Sequence, residues 1–191
     1  MDKNKLSNSS TVSEEIWLSK AFDQENALKL RDQIIKASNK DETMPIIVYI
    51  NSYGGSVDAL NNLLDTFESV PNEIVTVGCG TAMSAGAVLL SAGDKRYITK
   101  SSRVMIHKLS SFNWGNSDDI KTNADEIARL NSQLMEILAK NCGKTVKQLN
   151  NLLKETRDLY LSANKAVSFG IVDKIGFPRL TEKTSYELKV F

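Results

Sequence analysis

His107 is the only histidine in a chain of 191 residues. Imidazole is the one side chain whose unperturbed titration falls near neutral pH. Any histidine-based proton transfer by this protein therefore belongs to that residue. It closes the apolar run Arg103-Val104-Met105-Ile106-His107, which follows the small-residue segment Gly80-Thr81-Ala82-Met83-Ser84-Ala85-Gly86-Ala87. A serine becomes a nucleophile near neutral pH only when a base removes its proton. Ser84 has the setting for that. It comes after an apolar run, sits among small residues and opens a helical pattern, where free backbone N–H groups and the positive end of the dipole would meet an oxyanion. Ala82 and Gly86 lie two residues to either side, a G-x-S-x-G elbow with alanine in the first glycine position. A serine at a helix start also serves as an N-cap, and this segment alone is compatible with both roles.

Gly54-Gly55 makes a second turn between an apolar run and a helical pattern. Glycine admits positive φ and lets a ligand approach the backbone, so the pair suits either a second oxyanion N–H or a tight turn. The turn does not match a phosphate loop, since neither Gly-Lys-Ser/Thr nor the three-glycine dinucleotide fingerprint is present. A carboxylate that orients the imidazole would complete a triad. Asp158, in Thr156-Arg157-Asp158-Leu159-Tyr160, is one candidate, and spacing does not select it over Asp118, Asp119, Asp125 or Asp173. Asp118 and Asp119 suit the capping of a long helix, and Asp173 falls within a strand pattern.

The elements that must hold these groups can be read from periodicity. Ile16-Trp17-Leu18 is a short strand. Asp23 caps a helix to about Ser38, with Ala27, Leu30, Ile34 and Ile35 on one face. Ile46–Ile50 and Ile74–Gly78 are continuous apolar runs of the kind that fill buried parallel strands. Helices are predicted over Val57–Ser69, through about Ala92, over Thr145–Glu155 and over Ser162–Phe169. Arg96–Ile98, Val104–Ile106 and Ile171–Ile175 read as further strands. The alternation predicts an α/β fold with parallel pairing. Ser117 to about Asn141 forms one long helix whose stripe includes Ile120, Ala124, Ile127, Leu130, Leu134, Ile137 and Leu138, with Gly143 at its C-terminal end. That stripe can pack on its own sheet or face another subunit.

Composition narrows the functional classes. A chain of this length fits one domain with a real core. Hydrophobic residues make up 41% and charged residues 25%, with a formal net charge of +1, so no basic field argues for nucleic acid. No apolar run is long enough to span a bilayer, and the polar Met1–Ser13 lacks a secretory signal. Cys79 and Cys142 are the only cysteines. They fit a reduced, cytoplasmic protein, and they lack metal-ligand spacing with His107. The expected organisation is a short N-terminal segment, 1–15, a catalytic domain, 16–176, and a C-terminal tail, 177–191.

From about Ile16 to Ile175 the chain resembles the Clp protease proteolytic subunit family. The matching blocks are Tyr49-Ile50-Asn51-Ser52-Tyr53-Gly54-Gly55-Ser56, Gly80–Gly93, Ser102–His107, Asp119-Ile120, Arg157-Asp158 through Ser162-Ala163, and Ala166–Asp173. The resemblance implies the ClpP/crotonase-type α/β fold of repeated β-β-α units, with the helix from Ser117 as the handle that interlocks two rings. It implies a serine endopeptidase with Ser84 as nucleophile, His107 as base and then acid, and Asp158 orienting His107. It puts the backbone N–H groups of Gly55 and Ala85 at the oxyanion positions. It implies no metal or organic cofactor, a peptide or unfolded-protein substrate, a homo-oligomer of stacked, heptameric rings, and an AAA+ unfoldase as a possible partner.

The chain departs from the family pattern at Tyr53, where proline is usual, at Ala85, where methionine is usual, and at Lys108, where glutamine is common. The stretch before Ile16 is shorter than the family's axial loop and first helix, which bears on gating and unfoldase docking and fits a divergent, phage-encoded member. The alternatives are an unfoldase-independent peptidase or phage maturation protease of the same fold, a crotonase-like acyl-CoA enzyme, and a non-catalytic ring subunit. The last two have no need of Ser84, His107 and Asp158 together.

Overall fold

The computed structural model describes residues 15–109 and 116–179. The polar N-terminal segment up to Ser13 and the tail from Thr181 lie outside those residues. The chain opens with β1 (Glu15–Leu18), α1 (Gln24–Lys40), β2 (Ile46–Ser52), α2 (Val57–Ser69), β3 (Ile74–Met83) and α3 (Ala85–Ser91). It continues through β4 (Lys95–Ile98), β5 (Arg103–His107), α4 (Ser117–Asn141), α5 (Val146–Thr156), β6 (Asp158–Ser162), α6 (Ala163–Phe169) and β7 (Lys174–Ile175).

The sheet runs β1-β2-β3-β4-β7, all parallel, and β5 branches from β3 to pair antiparallel with β6. This confirms the α/β class with parallel pairing, with β6 as its one antiparallel strand among the described residues. The branch arises because β3 changes neighbour along its length. Val75–Gly78 pair with β4, and Thr81–Met83 pair with β5. Gly80, at φ 95°, lies at the changeover. The strand therefore extends five residues past the predicted Gly78, and Gly80–Met83 join the sheet, not the helix.

β2 is apolar without alternation because both of its faces are covered. Ile46, Val48 and Ile50 enter the main core, where Leu30 and Ile34 of α1 and Leu60 and Leu63 of α2 pack on them. Ile47 and Tyr49 face the other way, beside Val75 and Val77. Each fully buried aliphatic side chain of this kind contributes about 1.5–3 kcal/mol of transfer free energy. On α1, Asp23 accepts the Asn26 N–H at 2.8 Å as the predicted N-cap. Ile35, expected on the buried face, is instead 37% exposed. It directly follows Ile34, and one residue of helix turns a side chain by about 100°.

Three other predictions need correction. Asn116 caps α4, its carboxamide oxygen accepting the N–H groups of Asp118 and Asp119, so those two aspartates occupy the first turn and not the cap. The last strand contracts to Lys174–Ile175. Asp173 precedes it, and Ile171 and Val172 are buried outside any strand. The segment after Arg157 is the strand β6, which sequence periodicity did not reveal. Among the described residues, the buried side chains of α4, Leu134, Met135, Leu138 and Ala139, all lie in its second half. In its first half Ile120 is 45% exposed, and Ala124 is exposed as well.

Candidate active site

The site forms where β3 ends and β5 begins its branch. Ser84 follows the last residue of β3 and precedes the first of α3. Its N–H donates to the Met105 carbonyl at 2.9 Å, which ties the turn to β5. Its carbonyl accepts the Ala87 N–H at 2.9 Å and so starts the helix. Ser84 thus occupies the N-cap position, yet its side chain makes no cap hydrogen bond. The reason is its backbone, at φ 53° and ψ −120°. A β-carbon is costly in that region, by about 1–3 kcal/mol, and the hydroxyl is turned away from the helix toward β5.

There it meets the imidazole. His107 Nε2 lies 2.8 Å from Ser84 Oγ. His107 ends β5, and Asp158 begins β6 directly opposite it in the antiparallel register. His107 Nδ1 and an Asp158 carboxylate oxygen are 3.8 Å apart, an ion-pair distance longer than a hydrogen bond. The imidazole is the more enclosed of the two, at 26% side-chain exposure against 52% for the carboxylate. The other candidate carboxylates are elsewhere. Asp118, Asp119 and Asp125 lie on α4, and Asp173 pairs with Arg96 at 2.6 Å.

The Gly54–Gly55 turn closes against the same serine. Gly54 has φ 98° and Gly55 φ 149°. A β-carbon on Gly54 would stand 2.7 Å from Ser84 Cβ and 3.1 Å from Ala85 N. Only glycine allows this approach, which sets the Gly54–Gly55 turn against Ser84 and against Ala85, the first residue of α3. Gly55, Ser84, Ala85 and His107 all line a small pocket of about 20 Å3. Its remaining wall is apolar and includes Val57, Val88, Leu134 and Leu138. The space holds roughly one water-sized group. A larger cavity of about 570 Å3, lined by residues such as Asp65, Glu68 and Lys140, contains none of the groups above. The buried thiol of Cys142 is no rival nucleophile. Burial pushes it up to about 11, which keeps it protonated near neutral pH.

A Clp protease family model matches residues 3–179 of the chain. The chain belongs to the Clp protease family. It is 40% identical over 162 residues to the ATP-dependent Clp protease proteolytic subunit 1 of Leifsonia xyli subsp. xyli, a match covering 84% of this chain and 81% of the relative. It is 38% identical over 162 residues to the ATP-dependent Clp protease proteolytic subunit 2 of Tropheryma whipplei, covering 84% and 89%. A proteolytic subunit 1 from Corynebacterium jeikeium is 38% identical, with 84% and 85% covered. Membership makes this chain a protease, hence a hydrolase. No helix among its described residues is long and apolar enough to cross a membrane.

Among the sequence candidates, Ser84, His107, Asp158, Gly55 and Ala85 converge on one point of this Clp protease. Spacing left the carboxylate open because β6 carries too little periodicity to announce it; the register of β6 with β5 puts Asp158, the aspartate that the family resemblance implied, across from His107. Sequence reasoning also gave no role to Ser52, which lies against the glycine turn.

Proposed function

We propose that this Clp protease is a serine endopeptidase acting through Ser84, His107 and Asp158. The observation that carries the reading is the 2.8 Å contact between His107 Nε2 and the Ser84 hydroxyl, made by a serine whose strained backbone diverts it from helix capping. His107 Nε2 takes the hydroxyl proton as Ser84 Oγ attacks the scissile carbonyl carbon. The Gly55 and Ala85 N–H groups receive the oxyanion of the tetrahedral intermediate. The intermediate collapses, His107 passes its proton to the leaving amine, and an acyl-enzyme remains on Ser84. Water, deprotonated by His107, attacks the ester carbonyl. The second collapse returns the proton to Ser84 and releases the carboxylic acid. Asp158 favours the tautomer with Nε2 free to accept and stabilises the imidazolium. No step calls for a metal or organic cofactor.

The small apolar pocket beside Ser84 supports acceptance of a small uncharged side chain at the residue whose carbonyl is attacked. The relatives' names speak of proteolytic subunits that are ATP-dependent. With the exposed first half of α4, this supports a homo-oligomer of stacked rings, heptameric by family resemblance, that encloses peptide or unfolded-protein substrates. An AAA+ unfoldase is the partner such an assembly would use. The working unit is the domain 16–176, in a cytoplasmic setting.

The experiment is hydrolysis of an unfolded protein, with products identified by mass spectrometry, in wild type and Ser84→Ala. Peptides from the wild type alone are expected. Equal cleavage by the variant would remove Ser84 from the mechanism.

A further inference from the structure

The turn that carries the Gly55 N–H cannot aim it unaided. Glycine at positive φ tolerates either orientation of the neighbouring peptide, and Gly54 and Gly55 both have positive φ. In a trans peptide the C=O and the following N–H point in opposite directions. Phe22 N–H donates to the Gly54 carbonyl at 3.0 Å, and Ser56 N–H donates to the Phe22 carbonyl at 2.7 Å. The first bond fixes the Gly54–Gly55 peptide so that the Gly55 N–H faces away from Phe22. That N–H has no acceptor among the described residues, and Gly55 lines the pocket with Ser84.

The preceding peptide is held by a single side chain. Ser52, the last residue of β2, is 2% exposed. Its hydroxyl donates to the Lys20 carbonyl at 2.6 Å and accepts the Gly54 N–H at 3.2 Å. Both partners are backbone groups, one only an acceptor and the other only a donor, so the directions are fixed. Ser52 also touches the helix that follows the nucleophile. A β-carbon on Gly86 would stand 3.1 Å from the Ser52 carbonyl oxygen and 3.7 Å from Ser52 Cβ. Ser52 is therefore wedged between the turn bearing one oxyanion donor and the helix bearing the other.

We infer that Ser52 is a positioning residue for the oxyanion site, an assignment that rests on the serine-peptidase reading above. It does not meet the substrate. It acts through the Gly54 peptide, holding the Gly55 N–H at the angle that meets developing negative charge. Without the hydroxyl, the Gly54 N–H and Lys20 carbonyl lose a buried partner and the glycine peptides are free to rotate. Charge on the oxyanion develops in the transition state and not in the bound ground state. The loss therefore falls on the chemical step and spares binding.

The test uses the full chain and a fluorophosphonate, whose phosphoryl oxygen takes the place of the carbonyl oxygen. Wild type, Ser52→Ala, Ser52→Cys and Ser52→Thr are compared for kinact and KI by intact mass, with thermal melting alongside. Ser52→Ala and the nearly isosteric Ser52→Cys are expected to lower kinact about 10- to 100-fold, part of the loss for a deleted donor. KI is expected to stay within about twofold. Ser52→Thr, which keeps the hydroxyl, is expected to recover most of the rate. If Ser52→Ala does not fold, Ser52→Cys carries the same comparison. An unchanged kinact in the folded hydroxyl-free variant overturns the assignment, as does an equal fall in Ser52→Thr or a loss expressed mainly in KI. A wild type that takes no label defeats the reading of Ser84 itself, and with it the role given to Ser52.

Discussion

His107 and Asp158 face each other as a directly opposed pair across β5 and β6, with Nδ1 and the carboxylate 3.8 Å apart. The strand register, and not a hydrogen bond, holds the two residues together. A carboxylate at that distance, half exposed, biases the imidazole through its field more than through a directed bond. Asp158→Asn is therefore expected to fold normally and to lower kcat about 100-fold or more, with KM little changed. Steady-state kinetics on a peptide substrate checks this. A variant with full kcat would take Asp158 out of the mechanism.

Ser84 stores strain that glycine would release. At φ 53° its β-carbon is a cost to the fold. Ser84→Gly is expected to raise stability by about 1 kcal/mol while abolishing turnover, a trade of stability against function at one residue. Denaturant melts of wild type, Ser84→Gly and Ser84→Ala decide it. The glycine variant should be the most stable of the three, and a glycine variant less stable than wild type would contradict the strain.

Acid should loosen the junction of β4 with the segment before β7. Burial pushes the Asp173 carboxyl up, but hydrogen bonds from the Arg96 guanidinium and backbone N–H, with the guanidinium charge, outweigh it and hold the group below its ordinary value. A carboxyl depressed in the fold contributes stability above its unfolded value, about 4, and that contribution is lost as pH falls through the folded value. The Asp173 side chain is 41% exposed, so solvent screening keeps the contribution modest. Tm is expected to hold from neutral pH to about 5 and to fall below about 4. Asp173→Asn should have a lower Tm at neutral pH and a shallower acid fall, and an equally steep fall would refute the linkage.

Among the described residues, none of the stripe in the first half of α4 is fully buried. Ile120 is 45% exposed, while Leu138 on the same helix is 1% exposed. Ile120→Asp is expected to leave the subunit folded and to shift the population from large assemblies to smaller ones. Light scattering after size exclusion, with circular dichroism as control, reads the result. An unchanged assembly would show that this face is not an interface.

Much of this arrangement was legible in the residues because it rests on local rules. Asp23 before an amphipathic run marks a helix start, and the observed cap confirms it. Uninterrupted Ile46–Ile50 marks a strand covered on both faces. The third member of the site was not legible from spacing, because strand register decides it. Val104 pairs with Leu161 and His107 with Asp158 only once β5 and β6 lie antiparallel, and five residues after a helix carry too little periodicity to announce a strand. The diversion of the Ser84 hydroxyl from the helix was likewise hidden, since sequence names a cap position but not the φ adopted there. Asp173 was read as part of a strand because apolar neighbours surround it. Its pairing with Arg96 is a long-range contact that no local pattern encodes.

Every step of the proposed mechanism depends on Ser84 being an activated nucleophile. The most direct test is intact mass after incubation with a fluorophosphonate, wild type beside Ser84→Ala. One adduct is expected on the wild type and none on the variant. An unmodified wild type, or an adduct that survives in Ser84→Ala, would contradict an activated Ser84.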